Sequence, residues 1–283
     1  MCTLILGRDV LAAGSVLLAA NRDEDPSRPS DPPLVLSESP RLVGGRDRRA
    51  GGTWLAVRES RAVVAILNRR DRAGEPAPPA PDRRSRGALV LEVAGVAEDY
   101  PARLDPAGER RELLERLGAV SGPGLPHAAL CRAFAALWEA PYAPCTLLFA
   151  APESCWLMAV EADAAPRFEP VPGGWHVITH ADLDDAREPR TARLMRELAG
   201  FAPRSVEQAE QRLGDLLRSH GDATAGIPPV CLHAGRRVTV SASSVWLATG
   251  EARYRHAEGR PCEHPLADHS HLLRAQASAA ERG

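Results

Sequence analysis

Met1-Cys2-Thr3-Leu4-Ile5-Leu6-Gly7 opens the chain, and its second residue decides how the rest is read. Methionine is normally trimmed when the next side chain is small, and cysteine is small enough. The trimmed chain begins with one residue that carries both a thiol and a free α-amino group. An α-amino group titrates near ~8, against ~10.4 for a lysine amine, so a useful fraction is neutral at pH 7. It can take the proton of a thiol whose own pKa lies near ~8.5. Nucleophile and general base then share a residue at the head of an apolar run. The plain alternative is a small buried side chain in a first strand.

Working outward, residues 3–6 and 15–20 predict a hairpin whose second strand runs straight into Asn21-Arg22-Asp23-Glu24. Strand ends expose side chains while a rigid sheet still holds them. A Pro- and Ser-rich loop over 25–40 is expected next. A second hairpin follows, over 53–57 and 62–67, ending on the polar Asn68. Residues 69–84 are charged and Pro-rich. Helical patterns cover 85–96, 107–117 and 127–140, and strand patterns cover 146–150, 156–160 and 175–179. Two further helices fit 188–198 and 206–217, before strands at 237–241 and 245–248. This order predicts an α+β fold with mostly antiparallel sheets. Several strands are apolar on nearly every residue, so both sheet faces should be covered, as in a helix–sheet–sheet–helix sandwich. One domain is expected over 1–250, with a polar extension over 251–283 packed on it or trailing from it.

Among the 283 residues, 44% are hydrophobic and 25% charged, values of an ordinary globular chain. A net charge of −2 gives no general attraction for nucleic acid or anionic membrane. All 35 basic residues are arginine, the mark of a GC-rich bacterial genome, and a lysine base or Schiff base is excluded. The six cysteines are dispersed without a C-x-x-C, so no disulfide framework is implied and a reducing compartment fits. No leader pattern and no long apolar run is present, and a cytoplasmic location without a membrane span is expected.

The blocks Met1-Cys2-Thr3-Leu4-Ile5, Asn21-Arg22-Asp23-Glu24 with Arg28-Pro29, Gly44-Gly45-Arg46-Asp47, Gly51-Gly52-Thr53-Trp54-Leu55, Leu67-Asn68 and Ser85-Arg86-Gly87 resemble, in order, the NRDE (transport and Golgi organisation) family. The likeness continues more weakly through Ile178 to Asp184, Cys231-Leu232-His233 and Thr239 to Leu247. It implies the N-terminal nucleophile (Ntn) hydrolase fold, an αββα sandwich, and similarity to cysteine Ntn enzymes in which the terminal cysteine attacks an amide carbonyl. It further implies that Arg22 stabilises the thiolate and binds a substrate carbonyl or carboxylate, and that Asp23 holds the α-ammonium. Asn68 is a candidate oxyanion donor. Asn21, Arg46 and Arg69 are candidate substrate-binding residues, and Arg22, Arg46 and Arg69 together would make an anion-favouring mouth.

Strand alternation sends Asn21 and Asp23 to one face and Arg22 and Glu24 to the other, and Glu24 is expected to be structural, with Arg28 or Arg46. Gly44-Gly45 and Gly51-Gly52 should serve turns and close approach, and Trp54 should be core. Two departures stand out. His180 occupies a position where the family has asparagine, and can donate a hydrogen bond or titrate. Val240 stands where the family often has arginine, leaving Arg236 or Arg237 as substitutes. In the tail, Cys262, His264, His269 and His271 are metal-ligand types, but their spacing matches no standard zinc pattern and a solvated segment is expected, with no metal or other cofactor. Two functions fit: an Ntn amidohydrolase or acyltransferase acting on a small amide or thioester, or a carrier on the same scaffold for haem or an acyl conjugate.

Overall fold

The computed structural model describes residues 2–70, 82–100, 109–162 and 164–274. The first sheet contains β1 (Thr3–Arg8), β2 (Val16–Glu24), β10 (Gly174–Ile178), β11 (Val238–Ala248), β12 (Glu251–Glu258) and β13 (Ala267–Asp268), in the order β10-β1-β2-β11-β12-β13. The second contains β3 (Ser30–Glu38), β4 (Arg41–Asp47), β5 (Leu55–Arg58), β6 (Ala62–Asn68), β7 (Cys145–Ala150), β8 (Cys155–Val160) and β9 (Arg167–Pro170), in chain order. All the strand pairings of both sheets are antiparallel. The sheets face each other through Leu4, Leu6, Val16, Leu18, Val57, Val63, Leu148 and Val245.

Helices α1 (Arg86–Ala94), α2 (Glu109–Ser121) and α3 (Leu125–Glu139) belong to the outer side of the second sheet, where Leu89, Val93, Leu130 and Phe134 meet Val64, Phe149 and Trp156. Helices α4 (Pro189–Leu198) and α5 (Val206–Arg218) cover the first sheet, packing Leu194, Leu198, Leu213 and Leu217 on Ile5, Leu17 and Trp246. Consecutive residues of β1 and β2 therefore face different layers, and both sets are apolar. The unbroken hydrophobic runs of these strands follow from that double burial. The helix starts are marked locally. Glu188 accepts a bond from the Thr191 N–H ahead of Pro189, and Ser205 caps Gln208.

The α+β sandwich expected from the sequence is the architecture found. The segment over 25–40, expected as a loop, instead supplies β3. It is an edge strand, so Pro32 and Pro33 cost no ladder bond on its open side, and the register slips between Asp31 and Leu34. The polar stretch from Glu251 is also ordered. It forms β12, paired along its length with β11, which runs unbroken where two strands were expected. Much of the loop over 69–84 lies outside the described residues.

Candidate active site

The site forms where the two sheets part beside the ends of β1 and β2. A cleft enclosing about 370 Å³, part of it open to solvent, is lined by Cys2, Leu4, Arg22, Trp54, Leu67, Ser241 and Ser243 among others. The Cys2 Sγ lies 3.4 Å from the Asp23 backbone N–H, which donates to it, and 3.8 Å from the Asp23 carbonyl oxygen. Burial pushes the thiol pKa up and the Asp23 carboxylate adds to this, while the Asp23 N–H and the Arg22 charge pull it down. The resting sulfur is therefore a thiol, and becoming a thiolate requires a base.

The alternation expected at β2 is the one observed. Arg22 faces the cleft, its guanidinium 4.2 Å over the Trp54 ring, and donates to Ser30 Oγ at 3.1 Å. Trp54, expected as core, is half-buried and forms a wall of the cleft. It can lie there because Gly45 passes beneath it. A Cβ at position 45 would come within 2.4 Å of the indole.

Asn21 and Asp23 face the helical layer. The Asn21 amide donates to the carbonyls of Leu217, near the end of α5, at 2.9 Å and of Val230 at 3.1 Å. Asp23 accepts from Thr239 Oγ1 at 2.7 Å and lies 3.8 Å from Arg190 Nη1, which donates to Thr3 Oγ1 at 2.8 Å. Burial raises the Asp23 pKa, opposed by the Thr239 bond and the Arg190 charge. Glu24 is structural, lying 3.7 Å from Arg28 and 3.7 Å from Arg237.

His180 follows β10. The register pairs Leu4 with Ile178; continued past the end of β10 it would set His180 opposite Cys2, although His180 is not among the residues that line the cleft. Burial and the nearby Arg70 and Arg190 charges lower the pKa of His180, so the ring is neutral at pH 7. Asn68 is one residue beyond Leu67 of the cleft, but alternation along β6 puts Leu67 rather than Asn68 on the inter-sheet face. The backbone there is stitched to the His180 loop: the Arg70 N–H donates to the His180 carbonyl at 3.3 Å.

The expected arginine-lined mouth does not form. Arg69 is occupied structurally, donating to Thr146 Oγ1, the Ala181 carbonyl, Glu161 and Asp182. Arg46 is exposed on β4, opposite Asp31 near the edge of the second sheet, and does not line the cleft. Among the described residues that line the cleft, Arg22 alone supplies a guanidinium, to a mostly apolar lining that also holds Ser241 and Ser243.

Residues 1–109 match the model of the Transport and Golgi organisation 2 (TANGO2) family. Over that stretch the chain is similar to the TANGO2 family. NRDE is a synonym for the same family, so the resemblance read from the motifs holds. Among solved structures, penicillin V acylase from Agrobacterium tumefaciens is similar with a TM-score of 0.51 at 11% identity, over 91% of this chain and 83% of that one. The Caenorhabditis elegans ortholog of N-acylethanolamine-hydrolyzing acid amidase gives 0.48 at 13%, over 86% and 92% of the two chains. A mutant conjugated bile acid hydrolase from Clostridium perfringens gives 0.48 at 13%, over 98% and 95%. The acylase likeness carries the fold, an Ntn-hydrolase sandwich, and at such identity the fold alone. No curated protein matches the sequence.

Beyond the TANGO2 motifs, the site contains side chains that sequence reading passed over. Arg190 is buried beside Asp23, while Arg237, one of the two expected substitutes for the family arginine missing near Val240, lies 3.7 Å from Glu24. Val240 is the extra residue of a β-bulge, since Thr239 pairs with Asp23 and Ser241 with Arg22. Ser243 Oγ, in the cleft, lies 2.9 Å from His256 Nδ1 across the β11–β12 hairpin. Burial pushes the His256 pKa down to about 4, so it too is neutral. The four tail residues considered together as ligands do not converge. Cys262 meets Cys231 and His233, while His269 packs near Tyr254, His256 and His271.

Proposed function

We propose that this protein is a cysteine Ntn amidohydrolase or acyltransferase, acting through an acyl-Cys2 intermediate on a small amide or thioester with an apolar acyl group. The observation that carries the reading is the position of the Cys2 sulfur, in an apolar cleft between an N–H donor and the field of Arg22. Removal of Met1 makes the Cys2 nitrogen the chain terminus, beside the end of β2 and Asp23. The neutral amine takes the Sγ proton, and the sulfur attacks the substrate carbonyl carbon. The tetrahedral oxyanion collapses as the ammonium returns the proton to the leaving group. Water or another acceptor then attacks the thioester and frees Cys2.

Asp23, held by Thr239 and Arg190, positions the ammonium. The neutral His180 ring, on the loop after β10, is assigned as a donor to the oxyanion. Asn68 serves as a second donor if its side chain turns inward from the strand end. Arg22 fixes the substrate end nearest the sulfur. The apolar lining and the single arginine support an acyl chain rather than an anionic group as the portion held.

Intact mass spectrometry after incubation with a short-chain acyl thioester tests the proposal. The expected result is a chain lacking Met1 with one acyl group on Cys2, and no adduct on Cys2→Ala. Retained Met1, or adducts spread over the other cysteines, would sink it. The valine at 240 and the histidine at 180 support a second reading, a carrier for haem or an acyl conjugate. A Soret band on haem titration, without acyl transfer, would favour it.

A further inference from the structure

On the far side of the first sheet from the cleft, three segments distant in sequence bring two thiols and two imidazoles together. His220 follows α5, Cys231 and His233 lie on the loop leading to β11, and Cys262 lies on the turn after β12. One ligand atom from each falls within 4.8 Å of every other. Cys231 Sγ and Cys262 Sγ are 3.5 Å apart, and His233 Nε2 is 3.1 Å from Cys262 Sγ and 3.8 Å from Cys231 Sγ. The His220 and His233 rings meet edge to face, with centroids 4.6 Å apart.

Tetrahedral zinc with Zn–S of about 2.3 Å and Zn–N of about 2.0 Å spaces its sulfurs about 3.8 Å apart and a sulfur–nitrogen pair about 3.5 Å apart. The two observed sulfur–nitrogen separations bracket that value, and the sulfur–sulfur separation of 3.5 Å is about 0.3 Å shorter than the ideal. A second observation points the same way: His233 offers Nε2 to the cluster while its Nδ1 lies 3.7 Å from Glu263 Oε1. A carboxylate behind a ligating imidazole fixes its tautomer and raises its basicity.

We propose that His220, Cys231, His233 and Cys262 bind one zinc ion in a closed, structural Cys2His2 site. Both thiols lose their protons on binding and both imidazoles bind neutral, so the loaded site carries no net charge and two protons are released per ion. The site would act on the cleft from behind. The Val230 carbonyl accepts from Asn21, and the Leu232 N–H donates at 2.8 Å to Thr239 Oγ1, which holds Asp23. An ion at Cys231 and His233 ties this loop to the end of α5 and to the β12 turn, and so clamps the outer support of β2.

The test is cobalt titration of the full chain, reduced and stripped with a chelator. The expected spectrum has the intense visible bands of tetrahedral cobalt and near-ultraviolet sulfur-to-cobalt charge transfer, saturating at one equivalent and displaced by zinc. Cys262→Ser should lose the charge transfer in large part and weaken binding at least ~100-fold. Glu263→Gln, an exposed change that leaves all ligands in place, should weaken it ~10-fold. His264→Gln and Cys2→Ala should leave the titration unchanged. A pale octahedral spectrum, unchanged binding in Cys262→Ser, or a Cys231–Cys262 disulfide that forms in reducing buffer in place of metal binding would overturn the proposal.

Discussion

The two faces of β2 differ in almost everything but their backbone. On the inner face Arg22 meets an indole, a thiol and apolar side chains at the edge of an open cleft. On the outer face Asn21 and Asp23 are buried, each committed to specific partners on other elements. Reactive groups need room and a tunable environment, whereas the groups that position them must be held, and hydrogen bonds in a dry interior hold best. One strand supplies both because its side chains alternate at every residue.

The comparison breaks most sharply at the inner face. Cys2→Ala should abolish the acyl adduct, and so should a fused N-terminal tag that leaves the thiol in place but removes the free amine. Measured by intact mass, equal loss in both variants identifies amine and sulfur as one unit. If the tagged chain still acylates, another base is at work. In the untagged protein, acylation should rise with pH as the terminal amine loses its proton, half-maximal near pH ~8 and level above about pH 9.

The outer face should cost less. Asp23→Asn keeps the shape but not the charge, and should slow acylation on the order of 10²-fold through misplacement of the amine. Burst kinetics at fixed acyl donor would read this. Thr239→Val removes the donor to Asp23 and the acceptor for Leu232, for about 1–3 kcal/mol of stability in a urea melt.

His256, behind the cleft, gives a pH signature of similar size. Its folded pKa of about 4 lies below the unfolded ~6.5, so the unfolded chain binds more protons on acidification. Stability should be flat above pH ~6.5 and fall by about 2 kcal/mol between pH 7 and 5, a slope that His256→Gln should reduce. Smallest of all, Arg46→Ala should leave both stability and acylation within error, about 0.5 kcal/mol or less. A large effect there would return position 46 to the site.

The fold was legible because the apolar runs, their lengths and the polar residues ending β2 and β6 are local signals. Cys2 and Arg22 were legible for the same reason. β3 was not, since Pro32 and Pro33 argue against a strand unless its edge position is known. Arg190 was hidden among 35 arginines, and only the packing of α4 against β1 and β2 singles it out. The Ser243–His256 contact depends on hairpin register, and the four-ligand cluster on segments that meet only in three dimensions. Arg69 misled because a charged residue beside a strand end looks available until Asp182 and Glu161 are placed against it.

The bulge at Val240 sets the phase of β11. C-terminal to it, Val245 and Leu247 point between the sheets, in step with Ser241 and Ser243 of the cleft. By simple counting Thr239 would point there too, yet it reaches Asp23 on the opposite side. A single unpaired residue thus works as a gearshift, letting one strand serve the cleft with its serines and the outer support with its threonine. Pairing Val240 into a regular ladder would turn Thr239 inward and strip Asp23 of its partner without altering any residue of the cleft itself.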